Sequence, residues 1–371
     1  MQFGLTESQK ILKDNARRFF SAECPITEVR RLMASDTAFD PVLWKKMAEQ
    51  GFTGIIFPEE FGGLGLGKVE LALLMEEMGY ALVPGPFFST VVLAGSVLDI
   101  CASSEQKKKY LEPVCNGTAR ATVATLMEAG SRLDPEDTRI SFANGKLTGR
   151  KLFVPDAAIA DFILVITSSG ICLLESKAPG IKMTAMNTLD FTRKLYAVDF
   201  SNTPAEKLAN TTRWTSALDV ATAALVAEMV GGMQRTLDIT VQYAKTRKQF
   251  GKPIGSFQAV QHKCADMYLE TESSRSAAYY AAWALQEDAP DAAVAVSIAK
   301  MYASDACRNV GNCGIQVHGG MGFTWENDLH LYYRRAKASE TMLGDATHHR
   351  ERIARLVIDA GAATAQTAKS A

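Results

Sequence analysis

With 371 residues, 47% of them apolar and 22% charged, the chain has the composition of a globular protein large enough for two or three packed modules. Lys and Arg total 40 against 41 Asp and Glu, so no overall basic excess exists to gather nucleic acid or an anionic membrane. No apolar run reaches the roughly 18 residues of a membrane span, and the opening residues lack the basic and apolar regions of a secretory signal, so a cytoplasmic protein is expected.

The first third reads as helix. Leu5-Thr6-Glu7-Ser8-Gln9 supplies a start signal, and Ile11, Leu12, Ala16, Phe19 and Phe20 recur at helical spacing. A second helix is predicted over 41–50. The run Phe57-Pro58-Glu59-Glu60-Phe61-Gly62-Gly63-Leu64-Gly65 is a glycine-rich loop, after which helix returns over 69–78. Shorter helices begin near Leu93 and Lys107. From about 119 to 208 the period shifts toward two, with β-rich runs over 147–154, 161–167, 171–175 and 195–200. Asn144-Gly145, Ser168-Ser169-Gly170 and Pro179-Gly180 separate them as turns. A small antiparallel barrel or sandwich is expected there. Beyond Trp214 three long, alanine-rich amphipathic helices are predicted over 217–247, 258–286 and 291–317. With a fourth from about Asp328 they make an antiparallel bundle.

Seven cysteines, Cys24, Cys101, Cys115, Cys172, Cys264, Cys307 and Cys313, are widely spread and include no CxxC pair, which fits reduced thiols. None of the five histidines, the adjacent His348-His349 included, has metal-ligand spacing with Cys or carboxylate, so no metal is expected. His348-His349 reads as a solvated surface pair.

Two stretches carry chemistry. Tyr243-Ala244-Lys245-Thr246-Arg247-Lys248-Gln249-Phe250-Gly251-Lys252-Pro253-Ile254-Gly255-Ser256-Phe257-Gln258 links two long helices. It offers a guanidinium, an aromatic ring, a glycine turn and the start of a helix, whose free N–H groups favour an anion. By composition alone it is also simply a charged helix connection. Gln316-Val317-His318-Gly319-Gly320-Met321-Gly322-Phe323-Thr324 ends the third long helix with glycines that let a ligand approach the backbone.

In wording and spacing these two stretches resemble the acyl-CoA dehydrogenases, and the resemblance extends to the opening LTESQ, the 58–65 loop and Tyr333-Arg334-Arg335-Ala336-Lys337. It implies an α+β chain of three modules: a helical domain (1–118), a middle antiparallel β-barrel (119–208) and a C-terminal four-helix bundle (209–371). It also implies FAD-dependent oxidation of the α,β bond of an acyl-CoA thioester, in which a glutamate takes the α-proton and an electron-transferring flavoprotein reoxidises the flavin. Arg247, Phe250 and Gln258 would hold the ADP half of FAD, and Gln316, Gly319 and Gly320 would meet the cofactor across a subunit interface.

The chain departs from that pattern where the chemistry happens. Met127 stands where a flavin-ring threonine is expected, and Phe153-Val154-Pro155 replaces a Trp-x-Thr stretch, leaving Phe153 to stack on the ring. The base of the commonest subgroup falls on Leu343, six residues after Ala336-Lys337, and that of a second subgroup on Ala221. Neither takes a proton. Glu228, seven residues after Ala221, returns to nearly the same helix face about 10 Å along the axis. Lying in an otherwise apolar run, it is the candidate displaced base, against the alternative of a buried glutamate bound to arginine. Glu340 is expected to pair with Arg335 or Lys337.

Three readings follow: one subunit of a heteromeric acyl-CoA dehydrogenase whose homologous partner supplies what is missing, as in the bacterial enzymes acting on steroid side-chain thioesters; a complete homo-oligomer using Glu228; or a non-redox CoA-thioester binding protein. Ala217, Ala221, Ala223 and Ala224 lean toward a bulky acyl group, although alanines also serve close helix packing.

Overall fold

The computed structural model describes residues 4–126 and 140–359; Met127 lies outside them. The N-terminal third forms α1 (Glu7–Glu23), α2 (Ile26–Met33), α3 (Pro41–Glu49) and α4 (Lys68–Ala81), then a π-helical stretch (Phe88–Gly95) that runs into α5 (Ser96–Cys101), and the short α6 (Ser104–Gln106) and α7 (Glu112–Cys115). The start signal before α1 is a reciprocal cap: the Gln9 amide donates to Thr6 Oγ1 (3.2 Å) and the Thr6 amide to Gln9 Oε1 (2.9 Å). Asp40 caps α3, with Pro41 in its first turn.

The middle region holds β1 (Ala121–Ala124), β2 (Ser141–Ala143), β3 (Lys146–Pro155), β4 (Phe162–Thr167), β5 (Gly170–Glu175), β6 (Ile181–Met186), β7 (Leu195–Pro204) and β8 (Glu206–Lys207). The bundle follows as α8 (Trp214–Thr246), the two-residue strands β9 (Lys248–Gln249) and β10 (Lys252–Pro253), α9 (Gln258–Gln286), α10 (Ala292–His318), a 3-10 turn (Gly319–Phe323), α11 (Leu329–Thr341) and α12 (Ala346–Ala354).

The chain divides into two compact units. One comprises Ala22–Leu71 and Val83–Ala221 and contains both principal sheets, of order β1-β4-β5-β8 and β2-β3-β7-β6. Alternate residues of each strand share one core, Ile163 and Val165 with Cys172, Leu174, Val198 and Phe200, which is the period-two signature of the sequence made physical. The pairing is antiparallel except for β1, which runs parallel to β4 from Ala121 opposite Phe162 to Ala124 opposite Val165. Pairing of β3 with β7 shifts register between Lys151 and Val154, and Phe153 at that bulge has φ 55°.

The second unit comprises Met1–Ser21, Ala72–Leu82 and Thr222–Ala371. Its α4 and α8 segments cross in backbone contact: a Cβ on Gly79 would stand 2.0 Å from the Glu228 carbonyl oxygen, and one on Gly231 1.9 Å from that of Glu76. Only hydrogen fits at either place. The crossing buries Glu76 and Glu77, which then need cations. Glu76 accepts from Lys13 Nζ (2.9 Å), Arg275 Nε (3.1 Å) and the Tyr279 hydroxyl (2.5 Å), and Glu77 pairs with Arg17. Among the described residues α8 is the one helix long and apolar enough to cross a membrane, and 89% of that apolar window is buried inside the protein.

Candidate functional site

The two glycine-containing motifs meet at one end of the bundle. The Tyr243 ring near the end of α8 stacks on His318 at the end of α10, centroids 4.2 Å apart. Burial pulls the His318 pKa down, and its Nδ1 lies 2.9 Å from the Gly314 carbonyl, an acceptor only, so Nδ1 carries the proton. Beyond this staple α8 gives way to Arg247, whose amide donates to the Tyr243 carbonyl (2.8 Å) and whose carbonyl accepts from the Ile254 amide (2.8 Å). The tight hairpin β9–β10 closes that loop through Phe250 (φ 52°) and Gly251 (φ 78°), the geometry of a two-residue turn.

That turn holds the Phe250 ring 91% exposed. A bulky residue in the left-handed region, with its apolar ring in water, suits a ligand contact better than a solvent-facing loop. The Arg247 side chain is exposed and makes no ion pair among the described residues. Gln258 begins α9, whose N-terminus has no side-chain cap, so its first amides remain available to an anion. Gln316 is exposed, and a Cβ on Gly319 or Gly320 would meet nothing within 4 Å, which leaves that backbone open to a ligand. Arginine, aromatic ring, uncapped helix and open glycine turn are the donor set that a dinucleotide's pyrophosphate and adenosine require; the residues fit FAD.

The candidate base is engaged elsewhere. Glu228, 4% exposed, accepts a hydrogen bond from the Arg335 guanidinium of α11, itself 5% exposed. The pair lines a cavity of about 20 Å³ with Thr236, Cys307, Tyr332 and Ser339, room for about one water molecule. Glu340 pairs with Lys337, as expected, and with Arg308 Nη1 of α10 at 2.6 Å, while Arg335 goes to Glu228 instead. Ala217, Ala221, Ala223 and Ala224 are all buried.

Leu343 lies in the connection between α11 and α12, buried and with φ 58°. Asp345 caps α12, its Oδ1 accepting from the His348 amide at 2.8 Å, so the positive end of that helix offsets its charge. His349 corrects the expected surface pair: it is 2% exposed, and burial pulls its pKa down to about 3. The ring is neutral and inside because α12 folds back over the connection, its Nε2 lying 3.0 Å from the Leu343 carbonyl. Sequence reasoning also missed Lys151 of β3 and Lys300 of α10, both fully buried, with Lys151 Nζ donating to the Thr125 carbonyl at 2.8 Å. A buried lysine carries no local signal, since its stem reads as any surface lysine's does.

A helical start, a two-sheet middle and a long-helix bundle with this cofactor end define a flavoprotein dehydrogenase class of chain. The chain belongs to the acyl-CoA dehydrogenase family: residues 6–118 match the acyl-CoA dehydrogenase N-terminal domain and residues 211–358 the C-terminal domain. It is 31% identical to the acyl-CoA dehydrogenase IpdE2 of Mycolicibacterium smegmatis over 95% of this chain and 98% of that one. Among solved structures it resembles a steroid ACAD variant (30% identity, TM-score 0.89, covering 96% of this chain and 99% of that one). It also resembles a chain of the ChsE4-ChsE5 complex from Mycobacterium tuberculosis (29% identity, TM-score 0.87, covering 96% and 98%).

Proposed function

We propose that this chain is a subunit of an FAD-dependent acyl-CoA dehydrogenase that oxidises the α,β bond of a bulky acyl-CoA, a steroid side-chain or branched thioester, in a complex with a homologous subunit. One observation carries the reading: Leu343 and Ala221 occupy both places where the family's base is expected, and Glu228, the buried carboxylate considered in their place, is bound by Arg335. A carboxylate held in charge-assisted contact with a buried guanidinium is not free to approach a substrate carbon. The likeness to a steroid ACAD and to the two-component ChsE4-ChsE5 complex supports both the substrate class and the assembly.

FAD, when bound, supplies the hydride acceptor. Arg247 would hold a pyrophosphate oxygen with its fixed planar cation, Phe250 would pack on the adenosine and Gln258 would present the α9 amides. Gln316, Gly319 and Gly320 would serve the cofactor of the adjacent subunit, and the positions of Met127 and Phe153 would serve the flavin ring. Residues 1–118, 119–208 and 209–371 serve as its helical, β and bundle modules. The partner that would take up the electrons is an electron-transferring flavoprotein, and the setting is the cytoplasm.

The test is oxidation of a steroid side-chain acyl-CoA and of a straight-chain acyl-CoA, with an artificial acceptor, by the complex purified with its homologous subunit. Flavin absorbance with preference for the bulky thioester is expected. A protein with no flavin absorbance that still binds acyl-CoA is the non-redox alternative. A chain that works alone and is silenced by Glu228→Gln with its fold intact is the displaced-base alternative.

A further inference from the structure

The connection between α11 and α12 spans only residues 342–345 and turns through two consecutive left-handed residues, Leu343 (φ 58°) and Gly344 (φ 93°). Glycine adopts that conformation freely, whereas leucine is strained in it. Three backbone carbonyls at this place accept from buried side chains of the neighbouring helices. Lys300 Nζ donates to the Glu340 carbonyl (2.9 Å), the Gly344 carbonyl (2.8 Å) and Ser304 Oγ (3.0 Å). The third carbonyl is that of Leu343, which only accepts, so the neutral His349 carries its proton on Nε2 and donates across 3.0 Å.

Lys300 is 0% exposed, and its three N–H groups have three acceptors. An ordinary helix-to-helix turn needs none of this, since a single glycine ends a helix with no buried charge. Here a strained leucine, a buried ammonium and a buried imidazole are all spent on one short connection, and such concentrations mark places whose geometry matters. Four titratable groups face the ammonium: Cys307 of its own helix, Glu340 of α11, Asp345 of the connection and His349 of α12. Burial pulls the Lys300 pKa down to about 8 against the opposing pull of the two carboxylates, so at neutral pH the ammonium keeps all three donors.

We propose that Lys300 is a positioning residue, which locks the 342–345 connection from α10 and thereby fixes where the side chain of residue 343 points. The inference rests on the reading above that position 343 is where relatives carry their base. In this chain the lock aims a leucine, and it would aim a carboxylate equally well.

Two arms test it on the full chain together with its homologous subunit. In the first, hydrogen–deuterium exchange compares wild type with Lys300→Met, and with Lys300→Gln should the methionine variant not fold. Amides of 342–349 are expected to exchange about tenfold faster or more while those of α8 keep their protection. Unchanged protection over 342–349, or an equal loss throughout the chain, overturns the proposal. In the second, Leu343→Glu places a carboxylate on the connection, and acyl-CoA oxidation is measured with and without Lys300→Met. The turnover gained should fall about tenfold in kcat, with KM kept, when the lock is removed. An unchanged kcat overturns the proposal. No gain from Leu343→Glu refutes the reading of position 343 itself, and the exchange arm then decides on Lys300 by itself.

Discussion

Replacing Arg335 by Met is expected to be among the most damaging single changes in the bundle. The guanidinium and its partner Glu228 have only 6% and 4% of their side chains exposed, so solvent screens the pair little. Removing the cation deprives a buried carboxylate of its guanidinium beside Met229 and Met233, which are buried and line the same cavity. Breaking a buried pair from one side costs about 3–5 kcal/mol, a large share of the roughly 5–15 kcal/mol that holds an ordinary domain together. Replacing both partners, Arg335→Met with Glu228→Gln, removes the buried charge as well, and most of the lost stability should return. Urea unfolding followed by tryptophan fluorescence, with calorimetry beside it, measures all three proteins. A loss below about 1 kcal/mol for Arg335→Met, the value of a surface pair, would refute the reasoning, as would a double variant no more stable than the single. A single Glu228→Gln variant bears on chemistry, because it should leave turnover of the assembled complex essentially intact.

Three further expectations follow from the geometry. Arg247→Ala should lose FAD on extensive dialysis, since it removes the charge-assisted bond to the pyrophosphate; retention at the wild-type flavin content would sink that assignment. Gly79→Ala, whose Cβ would lie 2.0 Å from the Glu228 carbonyl oxygen, should force α4 and α8 apart at a cost of about 1–3 kcal/mol or more, and an unchanged melting temperature would contradict the crossing. Burial lowers the Lys300 pKa from 10.5 to about 8, so between these values the unfolded chain binds the extra proton. Its contribution to stability therefore rises with pH across that window, the slope should vanish in Lys300→Met, and an identical slope in both proteins would refute it.

What the sequence made legible follows the strength of its periodicities. The long helices predicted over 217–247, 258–286 and 291–317 appear as α8, α9 and α10 with ends shifted by at most three residues, because a 3.6-residue period sustained over so many turns has no competing reading. Strand β1 escaped because Ala121–Ala124 is buried at all four positions and shows no alternation. Strand β6 escaped because only Ile181 and Met183 of it pack against the core, half-buried, and its alternation lapses after Thr184. The π-helical stretch Phe88–Gly95 is buried throughout and carries no signal of its altered winding. At the site, Arg247, Phe250 and the 319–320 glycines could be named from local wording. Arg335 could not be matched to Glu228, nor Lys300 to the 342–345 connection, because each partnership spans 40 residues or more of chain. His349 looked exposed beside His348 and is buried only because the connection folds α12 inward.

The central claim is that this chain keeps the cofactor-gripping end of an acyl-CoA dehydrogenase, lacks its base and works beside a homologous subunit. The direct measurement is the FAD content of the chain purified alone and of the chain co-expressed with that subunit, together with acyl-CoA oxidation by each. The account predicts activity only in the mixed complex, with about one FAD per pair of unlike chains. A lone homo-oligomer with about one FAD per subunit and full activity would contradict it.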